Sequence, residues 1–385
     1  MSDTGRAGTP RAAAASGAGP GPVPGTVPDA APGAARGAAA GGLRPRAPRN
    51  RTLSLSDGDR ERLAVRLVRL PARQAASLGP GPGPGPGPGA PAISAAPTVV
   101  ASAPAAFAAA DLLDRILCAD LFDVLDLLPK GFADLLFLDP PYNLDKDFGG
   151  LRFPRRDGDA YLAWLRSWLP RLVPALRPGA SIYLCGDWES SGALQSALSE
   201  VAVIRNRITW QREKGRGARA NWKASSEDIW FATLSDGYWF DVEAVKQRRR
   251  VLAPYREGGL PKDWEETRDG RFRLTHPGNF WDDLSVPFWS MPENTDHPTQ
   301  KPEKLLAKLL LASCPPGGVV LDPFLGSGTS AVVARKLGRR HVGIEVNEEY
   351  CLWAERRLEL ALADRTIQGY EDGVFWERNT RKPRA

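Results

Sequence analysis

"VVLDPFLGSGTSAVVARKLGRRHVGIE" (residues 319–345) decides the fold. An apolar β-type run ends in Asp322, a glycine-rich turn follows, a helical pattern starts near Thr329, and a second apolar run ends in Glu345. Strand, tight turn, helix and strand make the βαβ unit of a parallel sheet. Gly326, Gly328 and Ala331 keep the G-x-G-x-x-G/A spacing. Gly326 allows the tight turn, and Gly328 is expected to let the backbone approach a ligand closely. Glu345 stands where an acid can hold ribose hydroxyls. The turn by itself could also be a plain strand-to-helix connection. A helix N-terminus favours any anion, a pyrophosphate or an amino-acid carboxylate alike. Asp322 and Phe324, just ahead of the glycines, weaken the dinucleotide reading. S-adenosyl-L-methionine offers such a carboxylate, with an amine that Asp322 can receive.

The same rhythm continues on both sides. Residues 133–139 (ADLLFLD) read as a buried strand, and 159–180 carry apolar residues at helical spacing up to Pro178-Gly179. Residues 181–186 read as a strand, 191–201 as a helix, and 204–211, 227–234 and 237–241 as further strand candidates. Between about 205 and 289 the pattern is irregular and rich in Arg, Lys and Trp. Residues 302–314 then form a helix with Pro302 in its first turn, and 347–362 a helix capped by Asn347. The expected fold is α/β, a Rossmann-like, mostly parallel doubly wound sheet with an inserted region.

Residues 1–106 hold no aromatic residue and are dominated by Ala, Gly and Pro, including GPGPGPGPGPGA at 79–90. Such a segment buries too little apolar surface to offset its chain entropy, and it reads as a disordered tail dispensable for activity. One island, 59–70 (DRERLAVRLVRL), fits a short basic helix stopped by Pro71, expected to be transient and solvated. Residues 107–385 read as the folded domain, long enough for one α/β domain with an insert. A net charge of +6 and a pI near 9.2 permit a polyanionic partner without demanding one. Cys118, Cys185, Cys314 and Cys351 form no Cys-x-x-Cys pair, which argues against a zinc ribbon or disulfide framework and fits a reducing cytoplasm. The three histidines, His276, His297 and His341, give little material for a metal site, and none is expected. No apolar run reaches membrane-spanning length, and the Pro/Gly-rich start lacks the apolar core of a secretory signal. The expectation is a soluble, cytoplasmic protein, nucleoid-associated if it binds DNA.

Two further stretches complete the pattern. In "LFLDPPYNL" (136–144) an apolar run ends in an acid, then two prolines, a tyrosine and an asparagine follow. A turn leaving a strand explains that much. "HPTQKP" (297–302) stands shortly before the glycine loop. Together "DPPYN" (139–143), "HPTQKP" and "DPFLGSGT" (322–329) resemble the amino-methyltransferases of DNA, over about residues 115–360. The catalytic motif precedes the cofactor motif, which resembles the permuted β group of site-specific DNA methyltransferases. RNA and protein-amide methyltransferases with a related element usually place the cofactor motif first. Asp139, rather than Ser, at the head of the motif favours N6 of adenine over N4 of cytosine.

The resemblance implies a methyltransferase fold with a catalytic part at about 109–204, target recognition at about 205–290 and cofactor binding at about 291–362. It implies S-adenosyl-L-methionine, no metal, and double-stranded DNA as substrate for a monomer or homodimer. A restriction endonuclease acting on the same sequence is the further partner such an enzyme can have. An exocyclic amine is inaccessible inside the duplex, so the target base must be flipped out or unpaired. The Asp139 carboxylate and Pro140 carbonyl, facing the two N–H bonds, would draw that nitrogen towards tetrahedral geometry. Tyr142 offers a stacking face worth about 1–3 kcal/mol per base. Pro140 and Pro141 restrict φ and hold the acceptors in place, while Asn143 shapes the turn. Asp120, His297, Thr299, Gln300, Lys301, Asp322, Phe324, Gly326, Ser327, Gly328, Thr329 and Glu345 would line the cofactor site. Asp120 reads equally as a helix N-cap, and His297 and Lys301 as ordinary loop residues.

For DNA contacts the candidates are Arg212, Lys214, Arg216, Arg219 and Lys223, in the glycine-broken basic run QREKGRGARANWK (211–223). Of the interleaved Trp222, Trp230, Trp239 and Trp264, the strand-like settings of Trp230 and Trp239 read as core. A C5-cytosine enzyme would need a cysteine nucleophile, and Cys314 before Pro315-Pro316 is better explained as a small apolar residue. A DNA-binding module with a decayed methylase fold conflicts with the intact motifs. An NAD-dependent enzyme leaves "DPPYN" unexplained.

Overall fold

The computed structural model describes residues 50–70, 106–148, 151–212, 221–252, 255–268 and 270–377. Helix α1 (Asp57–Ala64) is followed by β1 (Arg115–Cys118), the short α2 (Leu121–Val124), β2 (Ala133–Leu138), α3 (Gly158–Leu172), β3 (Leu176–Gly186), α4 (Ser191–Ser199), β4 (Val203–Gln211) and β5 (Ser226–Thr233). Then come β6 (Gln247–Arg250), β7 (Glu265–Thr267), β8 (Gly270–Thr275), β9 (Phe280–Trp281), α5 (Glu303–Ser313), β10 (Val319–Asp322), α6 (Thr329–Lys336), β11 (Arg340–Glu345), α7 (Glu348–Ala363), β12 (Tyr370–Glu371) and β13 (Val374–Trp376).

The central sheet has the order β1-β11-β10-β2-β3-β5-β4-β9. Its first five strands are parallel, β5 runs antiparallel to both neighbours, and β9 is parallel to β4. Leu136 and Leu138 of β2 enter one apolar core with Leu165, Trp168 and Leu169 of α3. Leu135 and Phe137 enter the other, with Leu305, Leu306 and Leu309 of α5. Alternate residues of one strand thus feed both layers, as a parallel strand covered on both faces requires. From β10 the chain moves through α6 to β11 on one side, whereas β2 leads through α3 to β3 on the other. The strand order therefore reverses between β10 and β2. Ligands of doubly wound sheets bind outside the carboxyl ends of the strands at that reversal.

The structure corrects the reading of residues 1–106 as one disordered tail. Residues 1–49 and 71–105 lie outside the described residues, but 50–70 pack on the domain. Ser56 and Asp59 form a capping box at the start of α1. Leu63 and Leu67 enter a core with Leu352, Ala354 and Leu358 of α7. Arg60 pairs with Glu349, Arg66 with Glu359 at 2.8 Å, and Arg69 with Glu348 at 2.7 Å. Val68 bridges β1 in parallel, its N–H donating to Ile116 O at 2.9 Å. The expectation of a solvated helix failed because the acidic face and apolar stripe that receive α1 lie nearly 300 residues further on.

Two other expectations change. Residues 237–241 form no strand; Tyr238 and Phe240 pack their rings on Phe231 of β5 at 6.0 and 5.7 Å, and aromatic packing there replaces strand pairing. Of the stretch at about 205–290, β4, β5 and β9 belong to the central sheet, and the described part outside it that pairs into strands lies between Thr233 and Phe280. That part forms a second sheet, β7-β8-β6-β13-β12, completed by strands that lie beyond the expected boundary near 362. Trp230 and Trp264 are buried, whereas Trp222 is 95% exposed and Trp239, expected in the core, is 46% exposed. The aromatic residue of the 237–241 segment that faces inward is Tyr238, not Trp239. Among the described residues no helix is long and apolar enough to cross a membrane.

Candidate active site

Four adjacent parallel strands each deliver an acid at their carboxyl ends. Asp120 follows β1, Glu345 ends β11, Asp322 ends β10 and Asp139 follows β2. All four line one cavity of about 420 Å³, within the roughly 300–1,000 Å³ usual for small-ligand sites. Residues 319–345 and 136–144, nearly 200 positions apart, meet there because β10 pairs with β2 through Leu321 and Leu136.

The glycine loop is shaped by its neighbours. Gly326 has φ 54°, and a Cβ there would lie 3.0 Å from His297 Nε2. Gly328 has φ 85°, and a Cβ would lie 2.4 Å from Ala354 Cβ of α7. Gly328 does not line the cavity. Its space is taken by α7, so it serves the close approach of α6 and α7, which corrects the expectation of close approach to a ligand. Glu345 Oε2 accepts the Gly326 N–H at 2.8 Å and Oε1 the Asn347 N–H at 2.8 Å, fixing the loop to the strand end. Burial raises the pKa of Glu345. Asp322 accepts from the Phe324 N–H at 3.0 Å and from the Ser330 hydroxyl. Burial pushes its pKa up to about 7. Among the described residues no cation pairs with Asp322.

"HPTQKP" crosses this edge of the sheet. His297 meets the Tyr350 ring edge-on at 4.5 Å and lines the cavity, as do Thr299, Phe324, Ser327 and Thr329. Gln300 does not; its Oε1 accepts from Thr295 N–H and Oγ1 at 2.9 and 2.7 Å, so it braces the loop instead. Asp120 joins both of its readings, lining the cavity and capping α2 by accepting the Phe122 N–H at 2.8 Å. Thr329 Oγ1 donates to Lys301 O at 3.1 Å, tying the glycine loop to this segment.

Lys301 turns to the catalytic motif. Its Nζ donates to Asp139 Oδ1 and Oδ2 at 2.7 and 2.6 Å and to the Tyr142 hydroxyl at 3.1 Å. Burial opposes its charge, but Asp139 and Glu227 outweigh it and hold the ammonium at a pKa of about 12. The Tyr142 hydroxyl donates to Glu227 Oε2 at 3.1 Å, and burial followed by Asp139 and Glu227 keeps the phenol protonated. Asn143 shapes the turn, accepting from Arg156 N–H and donating to Arg156 O, both at 2.7 Å. Tyr161 of α3 donates to Pro141 O at 3.1 Å and so anchors the second proline.

Sequence reasoning missed several lining residues. Trp164 and Trp168 of α3 and Tyr350 of α7 line the cavity, with Trp168 edge-on to Phe324 at 5.0 Å. The helical spacing of Tyr161, Trp164 and Trp168 placed them on one face, but that pattern equally describes core. Glu227, whose side chain is 0% exposed, sits in a strand-like run and gave no signal beyond being an acid among apolar residues. Of the DNA-binding candidates, Lys214, Arg216 and Arg219 lie outside the described residues. Lys223 is exposed, and Arg212 turns inward to pair with Glu227.

Buried acids without a cation suit a ligand that brings an amine and hydroxyls, and repel the phosphates of a dinucleotide. The start of α6 suits a carboxylate, since its N-cap is Gly328, which has no side chain to cap the first turn. The residues present therefore fit S-adenosyl-L-methionine. Fold and cavity together define a methyltransferase of the doubly wound type. A family model described as DNA methylase, covering N6 and N4 enzymes, matches residues 133–356. The chain is 34% identical over 253 residues to DNA adenine methyltransferase YhdJ of Escherichia coli (strain K12), covering 64% of this chain and 83% of that one. It is 29% identical over 252 residues to type II methyltransferase M.HpaI of Haemophilus parainfluenzae, covering 64% and 74%. Among solved structures, the PvuII DNA methyltransferase (cytosine-N4-specific) aligns with TM-score 0.47 at 15% identity, over 65% of this chain and 90% of that one. The chain belongs to the N6/N4 DNA methylase family.

Proposed function

We propose that this protein methylates the exocyclic N6 of adenine in a specific sequence of double-stranded DNA, on a base flipped into the cavity. The observation that carries the reading is the meeting of Asp139 and Asp322 at the strand-order reversal, in one cavity with the glycine loop. S-adenosyl-L-methionine supplies an electrophilic methyl group. Asp322 would hold its amine, the start of α6 its carboxylate, Glu345 its ribose and Asp120 its adenine. Thr299 and His297 would close the cavity over it. Asp139 and the Pro140 carbonyl would then accept from the target amine, with Tyr142 beneath the base. Asp139 at the head of the motif and the relative named a DNA adenine methyltransferase support adenine over cytosine.

Target recognition belongs to the second sheet and to the segment between β4 and β5. That segment leaves the central sheet where the Arg212 N–H donates to Ser225 O at 2.6 Å, two residues from Glu227. Of the two described candidates Lys223 is exposed, whereas Arg212 is paired with Glu227. The relative named a type II methyltransferase supports a restriction companion acting beside a cognate endonuclease. Single-molecule sequencing of the native genome with and without the gene tests the reading. Loss of N6-methyladenine at one sequence motif is the expected result, and loss of N4-methylcytosine instead would overturn the base assignment.

A further inference from the structure

Lys301 lies between two acids, the half-buried Asp139 of the catalytic motif and the buried Glu227 of β5. Its Nζ is 2.6 Å from Asp139 Oδ2 and 3.6 Å from Glu227 Oε2. Its three N–H groups match the three short contacts it makes, to both Asp139 oxygens and to Tyr142 Oη. Glu227 in turn accepts from Tyr142 and pairs with Arg212. Among the described residues the set holds two carboxylates and two cations, with the phenol bridging Lys301 and Glu227.

This arrangement disfavours charge developing on an amine bound to Asp139. A target amine that gives both N–H bonds to its acceptors would share an oxygen of Asp139 with Lys301, since both oxygens already accept from the lysine. As that nitrogen gains positive charge, an ammonium fixed on Asp139 opposes it by like-charge repulsion. A movement of about 1 Å would bring Nζ into normal ion-pair distance of Glu227 Oε2. The lysine can make that movement while keeping its bond to Tyr142, because Tyr142 Oη lies against both partners.

We propose that Lys301 is a shared cation, held by Asp139 until the target amine arrives and then handed to Glu227, so that Glu227 is a positioning residue for methyl transfer. Glu227 provides the second seat, and Arg212 fixes that seat from behind. The inference rests on methyl transfer to an exocyclic amine and is indifferent to whether adenine or cytosine carries it. The charged and titratable groups facing Lys301 are Asp139 after β2, Tyr142 in the same turn, Cys185 of β3 and Glu227 of β5, with Arg212 beyond Glu227.

The test is single-turnover transfer of labelled methyl from S-adenosyl-L-methionine to DNA by the full chain, with cofactor binding measured in parallel. Glu227→Gln is expected to slow transfer by about 10²-fold, the cost of a misplaced group near the reacting atoms, with cofactor affinity unchanged. Glu227→Asp should recover part of the rate. The pair Arg212→Gln with Glu227→Gln removes both charges, leaves no buried ion alone, and should remain slow. In the Glu227→Gln variant the lysine has lost an acid that supports its charge. Its transfer rate should therefore climb as pH approaches the ordinary lysine range, about 10.4, while the wild-type rate stays level there. Identity of the methylated base tests the proposed function; these rate ratios test the shared cation. Transfer by Glu227→Gln at the wild-type rate, or a deficit of the same factor at every pH, would overturn it.

Discussion

Asp139 and Asp322 leave neighbouring strands a few ångströms apart in sheet spacing, yet their surroundings give them different tasks. Asp139 is held by a lysine, whereas among the described residues Asp322 is buried against a backbone N–H and a hydroxyl. Asp139→Ala should abolish transfer, by at least about 10²-fold, while leaving cofactor binding largely intact, since Asp322 and the glycine loop are untouched. Undiminished transfer would remove Asp139 from the reaction. Asp322 makes a separate, pH-dependent case. Its pKa rises from 3.8 to about 7 on folding, so between those values the folded protein keeps a proton that the unfolded chain has lost. Stability therefore falls as pH climbs through that window. Asp322→Asn lacks this penalty, so its Tm relative to wild type should rise with pH up to about 7 and then level off. Its affinity for S-adenosyl-L-methionine should be weaker and flat with pH, whereas the wild type should lose affinity as Asp322 protonates below about 7. Matched melting curves and titrations check both slopes. Both acids were legible in the sequence because each ends an apolar run. Glu227 was not, because what makes it a site residue is its distance to Lys301, and no local pattern carries that.

At the scale of elements, the turn into α6 and the docking of α1 are the most sensitive joints. Gly328→Ala forces a Cβ at φ 85° against Ala354, and should cost about 1–3 kcal/mol of stability by strain alone. Adding Ala354→Gly should relieve the collision but not the strain, so partial recovery of Tm is expected. A fully stable single variant would refute the packing role. Helix α1 buries Leu63 completely against α7, and Leu63→Ala should cost roughly 2–5 kcal/mol, read as a lowered midpoint in denaturant. Removing residues 1–49 should leave the midpoint unchanged, whereas removal through residue 70 should lower it and uncover α7. Equal stability of the two truncations would mean that α1 adds nothing. The βαβ elements were legible because period-2 and period-3.6 patterns are local. The α1 contact and the second sheet were not, since α1 is received by α7 and β13 pairs with β6 more than 100 residues earlier.

Across the whole molecule, one topological event organises the site: reversal of strand order between β10 and β2 brings the two motifs to one edge. The order of the motifs along the chain and the resemblance they carry make that edge legible in the sequence. What the motifs alone did not convey is that Lys301 links them, reaching Asp139 through its side chain while its carbonyl receives Thr329. The most direct measurement is transfer of labelled methyl from S-adenosyl-L-methionine to double-stranded DNA by the purified chain, followed by digestion to nucleosides. The expected result is label in N6-methyladenine, lost in Asp139→Ala. Label in N4-methylcytosine, or label in RNA with none in DNA, would contradict the account.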